Sequence, residues 1–279
     1  VTRGTATAPD RTTRSASTHT VAVAGLAVTI GAQIVYPLVH GSNRDITTMV
    51  VLCAGVVAMA ADAIGRRGAL RGAVVIVAIA VLAFAFEVVG TRTGIPFGDY
   101  TYAQDRIGPS IATVPILISA AWFVGAYSVW RVAVFVLPRR PVLRVLAAIV
   151  ALVGWDLYLD PQMVAAGLWR WGVDDAGLPG IEQIPLTNYA GWALLGLVVF
   201  AVLTALDAPA RTGVPHADDT TARVPVIPLT WFVWTWLGSA VAQVFFLEDG
   251  ALRSGIAYGL VAMAVLGVPA LAAATGCRR

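Results

Sequence analysis

The chain has 279 residues, 58% of them hydrophobic and only 13% charged, with a formal net charge of +3 and a mean hydropathy of +0.78. A soluble domain needs roughly a quarter of its residues charged to cover its surface, so this surface faces lipid. The 19 basic residues are all arginines scattered among loops, with no stripe that would bind nucleic acid, and the two cysteines, Cys53 and Cys277, exclude a disulfide framework.

Residues 1–20 are rich in Ser, Thr, Ala and Arg and read as a disordered tail. Residues 21–275 read as one transmembrane domain, an all-α bundle of about eight helices. The first apolar run lacks a small-residue cleavage site and is too long for a signal-peptide core, so it is expected to stay as an anchor. Runs of about 20 apolar residues cross about 30 Å of hydrocarbon. They fall at 21–39, 47–64, 72–89, 111–136, 141–159, 187–206, 227–247 and 255–274.

The arginines test this count. Alternate connections hold Arg3, Arg11 and Arg14; Arg66, Arg67 and Arg71; Arg139, Arg140 and Arg144; Arg211 and Arg223; and Arg278 and Arg279. The opposite side has Arg44, Arg92, Arg106, Arg170 and Arg253. The positive-inside rule then puts a multi-pass protein in the cell membrane with both termini cytoplasmic.

Two outer connections, 90–110 and 160–186, are long and rich in Gly, Pro and aromatic residues, and they match each other in register. Glu87 is followed at +11, +13 and +15 by Gly98, Tyr100 and Tyr102, and Asp156 at the same offsets by Gly167, Trp169 and Trp171. After one inserted residue in the second copy, Pro115 and Pro185 correspond, then Trp122 and Trp192. The match predicts an internal two-helix repeat with units at about 72–136 and 141–206. An axis along the membrane normal relates repeats of the same topology, and it would bring Glu87 and Asp156 to one shared site. Both lie ~22 Å into a ~30 Å hydrocarbon core, in its outer third.

An ionisable residue within a span costs at least ~2.5 kcal/mol and marks function by default. Glu87 and Asp156 qualify, with Asp160 one turn beyond Asp156 if that helix continues. Gln33, Asn188, Tyr189 and Gln243 lie at comparable depth. Asp62 reads as a solvated helix end, and Trp231, Trp234 and Trp236 as lipid-facing or packing residues. His40 reads as a loop residue, while Gly68/Gly72 and Gly255/Gly259 match a weak helix-packing pattern. Asp156 and Asp160 also have the spacing that can hold Mg²⁺ against a diphosphate. A second acidic motif and a basic pocket are missing, so no metal site is expected.

The string Glu87-x2-Gly90-x3-Gly94-x-Pro96-x-Gly98-x-Tyr100-x-Tyr102 resembles the signature of the carotenoid-biosynthesis membrane protein family. So does Asp156-x3-Asp160-Pro161, with Trp169-x-Trp171, Ile184-Pro185 and Asn188-x2-Gly191-Trp192 after it. The resemblance runs from about Glu87 to Trp192 and implies a carotenoid 1,2-hydratase of the γ-carotene or bisanhydrobacterioruberin type. The implied enzyme adds water to the terminal double bond of a lipid-soluble polyene without a cofactor. Its partners would be the bilayer and other enzymes of carotenoid assembly.

On this reading Glu87 is the protonated donor, Asp156 orients or deprotonates the water, and Asp160 supports it. Gly94, Pro96, Gly98, Tyr100, Tyr102, Trp169, Trp171, Asn188 and Trp192 bind the substrate, with the Gly/Pro turn forming a tight lid. Rival readings are a carotenoid cyclase or isomerase, a membrane prenyltransferase, and a permease or carotenoid-binding scaffold.

Overall fold

The computed structural model describes residues 11–172, 176–208, 223–247 and 250–276. Eight long helices carry the chain through the bundle: α1 (Arg11–Val35), α2 (Ser42–Arg67), α3 (Ala69–Thr93), α4 (Ile116–Val136), α5 (Pro141–Ala165), α6 (Leu186–Asp207), α7 (Val226–Phe245) and α8 (Gly250–Gly276). Seven are long and apolar enough to cross a membrane. The exception is α7, whose three tryptophans, Pro228 and Gln243 lower its hydropathy although it is nearly as long.

The spacing of buried residues explains each helix's place. On α3 the buried residues Gly72, Val75, Ile79, Ala83, Glu87 and Gly90 recur every three or four positions and form one stripe. Its opposite face leaves Leu70, Val74, Val77 and Val81 exposed, which is stable only against lipid. The apolar window of α4 is 83% buried, against 28% for those of α1, α3 and α8, so α4 is the central post. Apolar burial gives little drive between helices in lipid, and close backbone packing replaces it. Thus α5 and α8 interlock. A Cβ at Gly154 would lie 2.8 Å from that of Ala262, and one at Gly259 would lie 2.6 Å from the Tyr158 ring. The weak pattern at Gly255/Gly259 therefore marks a real contact.

Several boundaries differ from expectation. Helix α1 begins at Arg11 rather than near 21, because a helix that satisfies its own backbone can continue past the hydrocarbon; residues 1–10 lie outside the described residues. The fourth span starts at Ile116 rather than at 111: Ser110–Ile111 (β2) and Val114–Pro115 (β3) form a small hairpin, and extended Pro115 caps the helix. In α5 the helix runs through Pro161 to Ala165, which keeps Asp160 one turn above Asp156.

Asp62 is no solvated helix end. It is 9% exposed, accepts Arg66 Nε at 2.9 and 3.0 Å, and accepts the Tyr127 hydroxyl at 2.7 Å. Burial follows from the central position of α4, which brings Tyr127 against α2. Nearby, Asp207 accepts from Arg67 and, at 2.9 Å, from Trp130 Nε1. Of the three tryptophans on α7, Trp231 and Trp236 are buried and pack inside the bundle rather than on lipid. Cys53 is exposed, and Cys277 lies outside the described residues.

Candidate active site

The long loops meet over one end of the bundle. Helix α3 stops at Gly94, whose φ of +72° and N–H bond to the Gly90 carbonyl make a left-handed C-cap. Gly98, at φ +102°, donates its N–H to the Gly94 carbonyl at 2.6 Å and closes a compact turn. Such φ values suit a residue without Cβ. The chain then forms β1 (Tyr100–Tyr102), which pairs antiparallel with β4 (Trp169–Trp171).

Strand alternation decides what this ribbon presents. Residues two apart share a face, so Tyr100, Tyr102, Trp169 and Trp171 all turn toward the bundle. Thr101 and Arg170 point away and are exposed.

Glu87 and Asp160 are each held by rings that follow them in their own half of the chain. Glu87, 5% exposed, accepts Tyr100 OH at 2.6 Å and Tyr102 OH at 2.8 Å on Oε2, and Trp122 Nε1 at 3.0 Å on Oε1. Asp160 accepts Trp169 Nε1 at 2.5 Å and Trp171 Nε1 at 3.0 Å, both on Oδ1. The Asn188 amide, in the first turn of α6, spans the two aspartates: its Nδ2 donates to Oδ2 of Asp156 at 2.8 Å and to Oδ2 of Asp160 at 2.7 Å. Asp156 Oδ1 makes no hydrogen bond among the described residues.

Burial and the adjacent Glu87 carboxylate push the Tyr100 and Tyr102 hydroxyls well above the usual phenol range. Both therefore stay protonated and donate.

The two strings meet with their ring offsets exchanged. Tyr100 faces Trp171 and Tyr102 faces Trp169 across the ribbon. Below them Trp122 and Trp192 stack with ring centroids 3.9 Å apart. This exchange pattern, first with last and last with first, is that of two units about a central axis. The symmetry is broken at the acids: the partner of Trp169 and Trp171 is Asp160, one turn beyond the Asp156 that matches Glu87.

Glu87, Asp156, Asp160, Tyr100, Tyr102, Trp169, Trp171, Asn188 and Trp192 all line one cavity of about 180 Å³. Gly94, Pro96 and Gly98 do not line it. Their turn instead seats Phe97, a cavity residue 2% exposed, whose ring fills the places a Cβ would take on Gly90 and Gly191. Gln33 also lines the cavity. Gln243 turns away and braces α7 to α5 by donating Nε2 to the Tyr158 carbonyl at 3.0 Å.

Sequence reasoning missed Phe97, Tyr158 and Trp231 as wall residues. It also passed over Trp122 as a Glu87 donor, although the repeat had paired it with Trp192. For Phe97 the signal was available: an aromatic residue inside the Gly/Pro string, with glycines left for it on two helices.

Arg106 fastens the lid from the rim. Its Nη2 and Nε donate to Asp45 at 2.6 and 2.9 Å, and Nη1 donates to the carbonyls of Ala166 and Gly167 at 2.8 and 2.9 Å. One guanidinium thereby ties the start of α2 to both long loops.

A part of the chain is 32% identical over 132 residues to the bisanhydrobacterioruberin hydratase of Haloarcula japonica, covering 46% of this chain and 43% of that relative. The matched part is thus less than half of either protein. No solved structure matches the chain. The model of the family described as carotenoid biosynthesis protein matches residues 47–266, which include every helix from α2 through most of α8, and the chain belongs to that family.

Proposed function

We propose that the chain hydrates the terminal C1,C2 double bond of an acyclic carotenoid by acid-catalysed addition of water. The supporting observation is one apolar cavity within a membrane bundle where three carboxylates meet four rings of a β-ribbon. The family membership and the similarity to a hydratase point the same way.

The donor pattern exchanges the two roles expected from the sequence. A proton donor needs an oxygen not already accepting a hydrogen bond, and Asp156 Oδ1 is such an oxygen. Both Glu87 oxygens are taken by O–H and N–H donors, which suits a fixed anion. Asp156 gives its proton to the less substituted alkene carbon, and a tertiary cation forms at the other. Water attacks the cation, and Asp156, now a carboxylate, takes the proton that this water releases, which restores the starting state. Glu87 balances the cation, and the faces of Tyr100, Tyr102, Trp169 and Trp171 stabilise it by ~2 kcal/mol each where desolvated.

Cyclases and isomerases begin with the same protonation, so water must be admitted for hydration to win. Prenyl transfer is less well supported, because Asp160 turns both oxygens to N–H donors rather than toward a shared cation position. The basic, Arg66 and Arg67 end of the bundle would face the cytoplasm, and the lid the opposite side.

The test is expression in cells that accumulate lycopene or γ-carotene, followed by mass analysis of the pigments. Hydration adds the mass of one water; cyclisation adds none, prenyl transfer adds an isoprenoid unit, and a permease leaves the pigment unchanged. Asp156→Asn should insert normally and lose turnover by ~10²-fold or more. A pigment of unchanged mass, or near-normal turnover in this variant, refutes the proposal.

A further inference from the structure

The candidate-site cavity reaches the contact between α1 and α7, where Gln33, Trp234, Gly238 and Ala242 line it. A second, lipid-facing groove runs between α1 and α7, lined by Ile30 and Ile34 on α1, Leu38 in the 3-10 turn that follows it, and Val233, Leu237 and Val241 on α7. Each set recurs every four residues and so lies on one face. The adjacent stripe belongs to both spaces: Gln33 on α1, Pro37 in the 3-10 turn that follows it, and Trp234, Gly238 and Ala242 on α7 line the cavity and the groove alike. The two spaces therefore share a wall, in which Gly238 carries no side chain.

The seam differs from the other helix contacts. Helix α1 packs along α2, where a Cβ on Gly25 would come within 2.9 Å of the Ala58 backbone. At Gly238 an added Cβ would meet only ordinary van der Waals neighbours first, atoms of Trp234 on its own helix at 3.4 to 3.7 Å. From Leu229 to Phe246 the groove follows α7 for about 25 Å, most of the ~30 Å hydrocarbon layer. Two buried polar atoms on the cavity wall, Gln33 Oε1 and Thr235 Oγ1, have no hydrogen-bond partner among the described residues. They offer partners to water or to a hydroxylated end group.

We propose that the α1–α7 seam is the lateral mouth of the active site, in which an extended polyene lies along α7 with its chain in the groove and its end group through a window in the shared wall at Gly238. The length, the apolar walls and the lipid exposure suit a rigid apolar rod that arrives from the bilayer. The identity of this occupant rests on the carotenoid reading above.

The experiment uses the purified full chain in phosphatidylcholine–phosphatidylglycerol vesicles containing lycopene. It reads both the lycopene absorbance retained per protein and the turnover. Gly238→Trp plugs the window and should lower both by about tenfold or more, whereas Asp156→Asn should lose turnover and keep its bound lycopene. A second blockade acts after folding: in a Cys53→Ala/Cys277→Ala background, Ile34→Cys carrying a bulky maleimide should lose lycopene. The same label on Val77→Cys, on the lipid face of α3, should leave both readings unchanged. Undiminished lycopene binding with the window or groove blocked overturns the proposal. So does phospholipid that stays bound as lycopene is raised, since that assigns the groove to acyl chains. Bound lycopene that no variant converts refutes the hydratase reading instead, and leaves the mouth in place.

Discussion

Removing one hydroxyl from the Glu87 cradle tests the site directly. Tyr100→Phe deletes the 2.6 Å donor to Oε2 but keeps the ring, which packs on Trp171 at a centroid distance of 4.9 Å and on Phe97 at 6.1 Å. The ribbon should therefore persist. Hydrogen bonds to charged groups contribute about 1.5–3 kcal/mol, and here two of three donors remain. If the bond stabilises a Glu87 anion that faces the cation, turnover should fall between about 10- and about 150-fold, with little change in bound pigment. The assay is conversion of a carotenoid in vesicles, with thermal unfolding of each variant alongside. The decisive comparison is a double-mutant cycle: in a Glu87→Gln background, where the charge is gone, Tyr100→Phe should cost much less. Loss of the same size in both backgrounds would show that the hydroxyl acts independently of Glu87, and turnover within about twofold of the unmodified chain would show that it does not act at all.

Two further outcomes are expected. Gly98→Val places a β-branched residue at φ +102°, a strain of about 1–3 kcal/mol; the chain should still insert, but turnover should drop as Phe97 loses its seat, and full activity would refute the tight turn. Arg106→Ala cuts four bonds that join α2 to both lid loops, so amide exchange at 100–102 and 168–171 should speed up while the amides within α4 are unchanged, and equal protection in both proteins would show that the clasp is idle.

The sequence alone determined the class of the molecule and named many of the residues that line the candidate cavity. Eight apolar runs of bilayer length, and arginines that alternate between connections, are local properties, because lipid imposes the same length and polarity on every span. The offsets from Glu87 and from Asp156 carried further. They named the residues that come together, since a repeat read along the chain constrains pairs far apart in space. The ring pairs at two-residue spacing already implied one face of a strand.

Other features depended on the tertiary structure. Asp62 is buried because α4 stands in the centre, and nothing in the α2 segment alone says that Tyr127 will meet it. Trp122 and Phe97 joined the site through packing between helices, the first by reaching Glu87 from α4 and the second by filling gaps over Gly90 and Gly191. The roles proposed for Glu87 and Asp156 could not come from their order in the chain either. It rests on which oxygens meet N–H and O–H groups from Tyr100, Tyr102, Trp122 and Asn188, and those groups arrive from three other elements. The α1–α7 seam is the clearest case. Ile30, Ile34 and Leu38 have the same apolar spacing as any lipid-facing stripe, and only the placing of α7 beside α1 turns that stripe into the wall of a groove.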